Sequence, residues 1–93
     1  MVNSRNNEFR WNEWNVEHIA EHGVFPNEAE QVVRNARRAF PRYVGDGKWR
    51  VDGQTSNGRY LRVIFIISPA DTFYVIHAME LSRNEKRRYR KNR

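Results

Sequence analysis

The spacing of the apolar residues changes along the chain and divides it into a helical first part, a strand-rich middle and a helical end. Asn12 is a good N-cap residue, and Gly23 can end a helix in the left-handed conformation. A first helix is therefore predicted from Asn12 to His22. Three apolar residues at helical spacing should form its buried face: Val16, Ile19 and Ala20.

A second helix is predicted to begin at Pro26, because a proline in the first turn of a helix loses no hydrogen bond. Four residues at helical spacing should supply its inner face: Ala29, Val32, Val33 and Ala36. Short strands are expected at Phe9–Trp11, before the helices, and around Arg42–Val44, after them.

The clearest local signal is Asn57-Gly58, a pair that favours a tight hairpin turn between Lys48–Thr55 and Arg59–Ile67. With these two residues as the turn, the predicted partners on one sheet face are Trp49 with Ile66, and Val51 with Ile64. The predicted partners on the other face are Arg50 with Phe65, and Asp52 with Val63. A third strand, Phe73–Glu80, is rich in residues that favour strands and should complete an antiparallel meander.

Ser82 and Glu85 have the spacing of a capping box, which predicts a helix from this point to the end of the chain. At 100° per residue, five cations of this helix fall within one arc. We call them the basic ridge: Arg83, Lys86, Arg87, Arg90 and Lys91. Tyr89 is the large apolar side chain of this segment, so the helix should dock by its first turn and Tyr89.

The net charge of the chain is concentrated in this last segment. Residues 83–93 contain seven Lys or Arg and one acid, a surplus of +6, whereas residues 1–82 contain ten of each sign. A concentrated basic segment on a neutral body favours a polyanion or an acidic protein as partner. A solvated terminal charge run without function is the alternative that this composition leaves open.

The remaining composition limits the class of protein. Ninety-three residues with 39% hydrophobic content suit one domain with a modest core. The chain has no cysteine, its longest apolar run is the five residues Val63–Ile67, and its first ten residues are polar. These features predict a cytoplasmic protein without disulfides, membrane spans or a secretion signal.

The order of motifs resembles a known family. The motifs lie at Trp11, Asn12 and Asn15, at His22-Gly23-Val24, at Glu28-Ala29, at Gly58-Arg59 with Leu61, and at Ala78 with Ser82, Glu85, Lys86, Arg87 and Tyr89. In this order and spacing the chain is similar to the BrnT family of ribonuclease toxins over about residues 9–90. The resemblance implies an α+β, RelE-like fold with two N-terminal helices, a three- to four-stranded antiparallel sheet and a basic C-terminal helix. The predicted domain spans residues 9–91, with residues 1–8 disordered.

The resemblance also implies a function and partners. BrnT-like toxins cut RNA without a metal or other cofactor, by attack of the ribose 2′-OH on the adjacent phosphate. A small BrnA-like antitoxin neutralises them, and the complex of the two binds operator DNA. The resemblance therefore predicts RNA and an antitoxin as partners, operator DNA only through the antitoxin complex, and the ribosome as a further candidate.

Metal-free cleavage of RNA needs proton-transfer groups and cations around the phosphoryl oxygens. His77 is the first candidate for proton transfer, because an unperturbed imidazole titrates near neutral pH. The predicted catalytic residues are His77, Arg59, Arg83 and Glu80, and the predicted RNA-binding residues are Arg50, Arg62, Lys86, Arg87, Arg90 and Tyr60. A packed rather than catalytic role of His77 stays open, and Trp49 is expected in the core rather than as a stacking surface.

One feature argues against simple transfer of family properties. Many relatives read Ser/His-Ala-Arg where this chain has His77-Ala78-Met79, so a cation that would stabilise the phosphorane is missing there. A non-catalytic nucleic-acid-binding or regulatory module is therefore the alternative function. His18–His22 also spells the H-x-x-E-H signature of a metalloprotease, but no further ligand follows at helical spacing, and no metal site is predicted.

Overall fold

The computed structural model describes residues 8–91, so predictions that concern residues 1–7 and 92–93 lie outside the described part of the chain. In chain order the elements are β1 (Phe9–Arg10), α1 (Glu13–Ala20), α2 (Pro26–Arg34), β2 (Arg42–Gly45), β3 (Lys48–Gln54), β4 (Tyr60–Ile67), β5 (Phe73–Glu80) and α3 (Arg83–Lys91). The predicted α+β class is confirmed. No described helix is long and apolar enough to cross a bilayer.

One sheet joins the five described strands in the order β1-β5-β4-β3-β2. Strands β2 to β5 pair antiparallel, as the sequence predicts. The sheet exceeds the predicted three to four strands because β1 adds to β5 in parallel, with Phe9 opposite Phe73. Glu8 extends this contact, since its carbonyl oxygen accepts a hydrogen bond from the Phe73 N–H.

The predicted register of the β3–β4 hairpin is wrong by one residue. Trp49 lies opposite Phe65, not Ile66, and Val51 lies opposite Val63, not Ile64. The loop holds three residues, 56–58, rather than two. The Thr55 N–H donates to the Arg59 carbonyl oxygen and so closes the loop. Gly58 takes the left-handed conformation (φ 89°) that such a three-residue loop requires.

This shift of one residue changes the partners on both sheet faces. Val51, Val63 and Phe65 now share the buried face. Asp52 comes opposite Arg62 on the other face instead of opposite Val63, and Arg50 comes opposite Ile64 instead of Phe65. Two oppositely charged residues therefore face each other across neighbouring strands.

Helices α1 and α2 both cover the same face of the sheet, and neither of them covers the other face. Helix α2 packs on β3 and β4, and α1 packs along β5. Pro26 is the first residue of α2, and its predicted inner residues Ala29, Val32 and Val33 are buried. Ala36 follows the helix and is partly buried against the core. Trp49 is also partly buried there, as expected.

Helix α1 buries a different set of residues from the predicted one. It ends at Ala20, which is exposed, and the chain then turns through Gly23 at φ 72°. Ile19 is buried as predicted, Val16 is half-buried, and Asn15 is completely buried. A polar residue takes the place of an apolar one because α1 lies beside the edge of β5, where backbone carbonyls need donors.

Asn15 satisfies three backbone groups, one in β1, one in β5 and one at the N-cap of α1. Its side-chain amide donates to the carbonyl oxygens of Arg10 and Val75, each at 3.1 Å. Its side-chain oxygen accepts from the Asn12 N–H at 2.8 Å, while Asn12 caps α1 in return. This one side chain thus joins β1, α1 and β5.

We expect Asn15→Ala to destabilise the fold by about 2–4 kcal/mol, because three backbone groups, at least one of them buried, lose a side-chain partner. Urea denaturation of the purified protein measures this loss. The exposed Asn84 of α3 provides the control, since Asn84→Ala should change stability by less than about 0.5 kcal/mol. Equal stabilities of the two variants would contradict this role of Asn15.

Candidate nucleic-acid interface

A cleft of about 550 Å³ opens on the sheet face that α1 and α2 leave uncovered. Its floor comes from β3 and β4, and its two walls come from the segment between α2 and β2 and from α3. We call it the arginine cleft; its lining residues are Arg37, Arg38, Ala39, Phe40, Arg42, Arg50, Asp52, Arg62, Glu85, Arg88 and Tyr89. Six arginines against two carboxylates leave a formal charge of +4 (6 − 2).

The floor is built around the charge pair that the hairpin register creates. Arg62 binds Asp52 with two nitrogens, Nε to Oδ1 at 2.9 Å and Nη2 to Oδ2 at 3.1 Å. Its third nitrogen, Nη1, donates to Glu85 Oε2 at 2.9 Å and so ties the floor to α3. These carboxylates raise the pKa of Arg62, with the Asp52 hydrogen bonds as the largest cause.

Arg50 lies on the same face and approaches the same carboxylate. Its Nε is 3.5 Å from Asp52 Oδ1, is shielded from solvent, and has no hydrogen-bond acceptor among the described residues. Burial lowers the pKa of Arg50, Asp52 raises it, and the nearby Arg62 and Arg42 lower it again. Asp52 thus offsets the repulsion between cations that share this face.

The wall between α2 and β2 carries cations stacked on aromatic rings. The Arg37 guanidinium lies 4.1 Å from the centre of the Tyr89 ring, and its Nε donates to the Tyr89 hydroxyl at 2.6 Å. Arg42 lies 5.1 Å from the centre of the Phe40 ring. Ala39, the residue before Phe40, has φ 80°. This conformation is unfavourable for a residue with a Cβ, and it turns the chain at this point.

Helix α3 forms the opposite wall with no buried residue of its own. Its capping box is present as predicted, with Glu85 Oε1 accepting from the Ser82 N–H and Ser82 Oγ accepting from the Glu85 N–H. The Ser82 backbone hydrogen bond is the main cause that lowers the pKa of Glu85. Glu85 therefore caps the helix with one oxygen and holds Arg62 with the other.

The basic ridge lies on the side of α3 opposite Glu85, Arg88 and Tyr89, the three residues of this helix that line the cleft. Arg83, Arg87 and Arg90 are exposed, and Lys86 is half-buried. Arg90 lies 5.7 Å from the centre of the Tyr60 ring, which in turn contacts the Tyr89 ring at 5.9 Å. The predicted docking of α3 through Tyr89 therefore agrees with the structure. Of the six predicted RNA-binding residues, Arg50 and Arg62 line the cleft, whereas Lys86, Arg87, Arg90 and Tyr60 do not.

Arg59 and Glu80, two of the predicted catalytic residues, belong to a separate cluster. Arg59 binds Glu28 at 2.8 Å, Glu80 at 3.2 Å and the Gly23 carbonyl oxygen at 2.9 Å. The Glu28 hydrogen bond is the largest cause that raises the pKa of Arg59. Two carboxylates neutralise this cation, and neither Arg59 nor Glu80 lines the arginine cleft.

His77, the predicted proton-transfer residue, lies against α1 rather than in the lining of the cleft. Its ring centre is 5.0 Å from that of His22 and 6.0 Å from that of His18. Burial is the main cause that lowers the pKa of His77, and the two neighbouring histidines lower it further. Among residues 8–91 no group of three or more His, Asp or Glu side chains has the arrangement of a metal site.

The structure adds cleft residues that the sequence analysis did not select: Arg37, Arg38, Arg42, Arg88, Asp52 and Glu85. Arg37 and Arg38 lie just beyond the end of α2 at Arg34. Their position in the sequence alone indicates cations near the end of a helix and gives no sign of a cleft. Asp52 could have been found from a correct hairpin register, which places it opposite Arg62. Met79 also lies opposite Arg62, on its other side.

The fold is shared with a solved ribonuclease toxin. The 1.1 Å crystal structure of the Brucella abortus ribonuclease toxin BrnT superposes with a TM-score of 0.67 and 18% sequence identity, covering 84% of this chain and 100% of the toxin chain. Neither the protein-family models nor the curated protein sequences give a match to this chain. The resemblance found in the sequence is therefore confirmed as a BrnT-like fold.

The lowered pKa of His77 predicts a pH dependence of stability. The unfolded state, with a histidine pKa of about 6.5, binds a proton more readily than the folded state, so stability should fall as pH decreases through this value. Thermal unfolding between about pH 7.5 and 5.5 should show this fall, and His77→Gln should reduce it. Identical pH profiles of the wild type and the variant would contradict the prediction.

Proposed function

We propose that this chain is an endoribonuclease toxin that cuts single-stranded RNA in the arginine cleft. The observation that carries the proposal is the net cationic cleft beside α3, in a fold shared with a ribonuclease toxin. Arginine suits this task because its planar fork binds phosphate oxygens in pairs. A cleft with a surplus of four positive charges favours a phosphodiester over a neutral ligand.

The basic ridge extends the cationic surface beyond the cleft. RNA that continues from the cleft around α3 would meet Lys86, Arg87 and Arg90 on the other side of the helix. Such contacts are independent of base identity and depend strongly on salt. The ridge therefore contributes affinity, and the cleft contributes the groups nearest the reacting phosphate.

The proposed reaction is attack of the 2′-OH on the adjacent phosphorus, with loss of the 2′-OH proton to solvent, departure of the 5′-oxygen as an alcohol after it takes up a proton, and formation of a 2′,3′-cyclic phosphate. Arg62, Arg50 and Arg37 are positioned to stabilise the charge that develops on the phosphoryl oxygens. The Tyr89 hydroxyl accepts from Arg37, which leaves its own hydrogen available to the departing oxygen. Proton transfer by His77 or Glu80, and phosphate binding by Arg59 and Arg83, stay predictions.

The biological partners follow from the same proposal. A toxin of this kind is held inactive by an antitoxin, whose carboxylates would bind the arginine cleft and the basic ridge. A BrnA-like protein would fill this role in the cytoplasm, and the complex of both proteins would bind operator DNA. The ribosome is a further candidate partner if free RNA is a poor substrate.

A non-catalytic RNA-binding module is the second candidate, and Met79 is the observation that favours it. Opposite Arg62 on β5, this position holds a thioether where relatives carry an arginine. In the proposal, Arg50 and Arg37 supply the missing charge from β3 and from the loop after α2. Cleavage, not binding, separates the two candidates.

RNA incubated with the purified protein in EDTA should yield fragments ending in 2′,3′-cyclic phosphate or 3′-phosphate. The control for a contaminating ribonuclease is a variant of two exposed cleft residues, R38A/R88A. This variant should cut RNA at least about tenfold more slowly than the wild type. Equal rates would point to a contaminating ribonuclease. RNA that stays intact, with and without added ribosomes, would instead favour the binding module.

Reversing the charge of Lys86, Arg87 and Arg90 to glutamate should abolish RNA binding and toxicity while changing the melting temperature by only a few degrees. These residues are exposed or half-buried, and α3 has no buried residue whose packing would be lost. The matching triple glutamine variant should show an intermediate loss of binding, because it removes charge without reversing it. Unfolding of both variants would show that the ridge is structural.

A further inference from the structure

The two carboxylates of the arginine cleft are unexpected in a site for a polyanion. Each lowers the positive charge of the cleft and, by charge alone, weakens binding of RNA. Asp52 is also nearly inaccessible, with 6% of its surface exposed. A buried carboxylate in this place therefore needs a role that compensates for its charge.

Asp52 lies where two arginines of the floor converge. It binds Arg62 through two parallel hydrogen bonds, a geometry that fixes both the position and the plane of the guanidinium. Arg50 approaches the same oxygen, Oδ1, from the neighbouring position on β3. Without this anion, Arg50, Arg62 and Arg42 would face one another as like charges across three strands.

Glu85 completes the arrangement from α3. Glu85 Oε2 accepts a hydrogen bond from Arg62 Nη1, so three of the five N–H groups of Arg62 are occupied. The plane of the guanidinium is therefore held from two sides. The other two N–H groups have no acceptor among the described residues. They are the donors that remain for a ligand in the cleft.

We propose that Asp52 and Glu85 are positioning residues of the arginine cleft, which hold Arg62, and through Asp52 also Arg50, in the orientation that binds one phosphodiester. The inference rests on the proposed function, because it takes RNA as the ligand of the cleft. The two carboxylates do not touch the RNA. They reduce the charge of the site but remove the side-chain freedom that the arginines would otherwise lose on binding.

This role and a simple charge effect predict opposite signs for the same substitution. Asp52→Asn and Glu85→Gln each add one positive charge to the cleft, so charge alone predicts tighter binding of RNA. Positioning predicts weaker binding, by about fivefold or more, because the arginines lose their fixed orientation. Glutamine still completes a capping box, so Glu85→Gln tests the contact with Arg62 without removing the helix cap.

The experiment measures fluorescence anisotropy of a labelled single-stranded 2′-O-methyl RNA oligonucleotide, which the proposed reaction cannot cut. The matched control is Asp46→Asn in the exposed turn between β2 and β3, which makes the same charge change away from the cleft. We expect weaker binding for Asp52→Asn and Glu85→Gln, slightly tighter binding for Asp46→Asn, and partial recovery with Asp52→Glu.

Equal or tighter binding by both cleft variants would overturn the inference. Melting temperatures of all variants are measured in parallel, and if Asp52→Asn fails to fold, Glu85→Gln decides alone. Because the oligonucleotide resists cleavage, a protein that binds it but cuts no RNA contradicts the ribonuclease proposal and leaves the inference standing. Wild-type protein that binds no oligonucleotide at all would overturn the inference directly.

Discussion

The pair of charges formed by Asp52 and Arg62 is the interaction on which the candidate site depends. It joins β3 to β4 on the uncovered face of the sheet, and it is the point to which Arg50 and α3 attach. The pair exists because the hairpin loop has three residues rather than two. A two-residue loop would place Asp52 opposite an apolar residue of the core face and leave Arg62 without its carboxylate.

This dependence explains which parts of the molecule the sequence predicts well. The helix start at Pro26, the Ser82–Glu85 cap and the three-stranded meander follow from local rules, because each depends on a few neighbouring residues. The hairpin register does not follow from local rules, because Asn57-Gly58 suits both a two-residue and a three-residue loop. The two loops differ only in which side chains they place opposite each other on β3 and β4. The buried Asn15 is also beyond local rules, because its partners lie on β1 and β5, which are separated in the chain.

The arginines divide into two groups that composition alone cannot distinguish. Arg59 is held by Glu28 and Glu80 and ties β4 to the start of α2, so its charge is used within the fold. The arginines of the cleft outnumber their carboxylates, so charge remains for a ligand. The two kinds are only three residues apart in the chain, with Arg59 just before β4 and Arg62 within it. Only the spatial distribution of the carboxylates separates an arginine that is neutralised within the fold from a cluster of arginines that keeps a surplus of positive charge.

Helix α3 connects the stability of the fold to the chemistry of the cleft. It buries no residue of its own, and its contacts with the body run through Arg62, Arg37 and the ring of Tyr60. Two of these three are cleft arginines, so the side chains that hold the helix are also side chains that face a ligand in the cleft. Binding in the cleft and the position of the basic ridge are therefore coupled through the same side chains. An acidic protein partner would act on this coupling in the same way as the proposed RNA ligand, because its carboxylates would bind the same nitrogens.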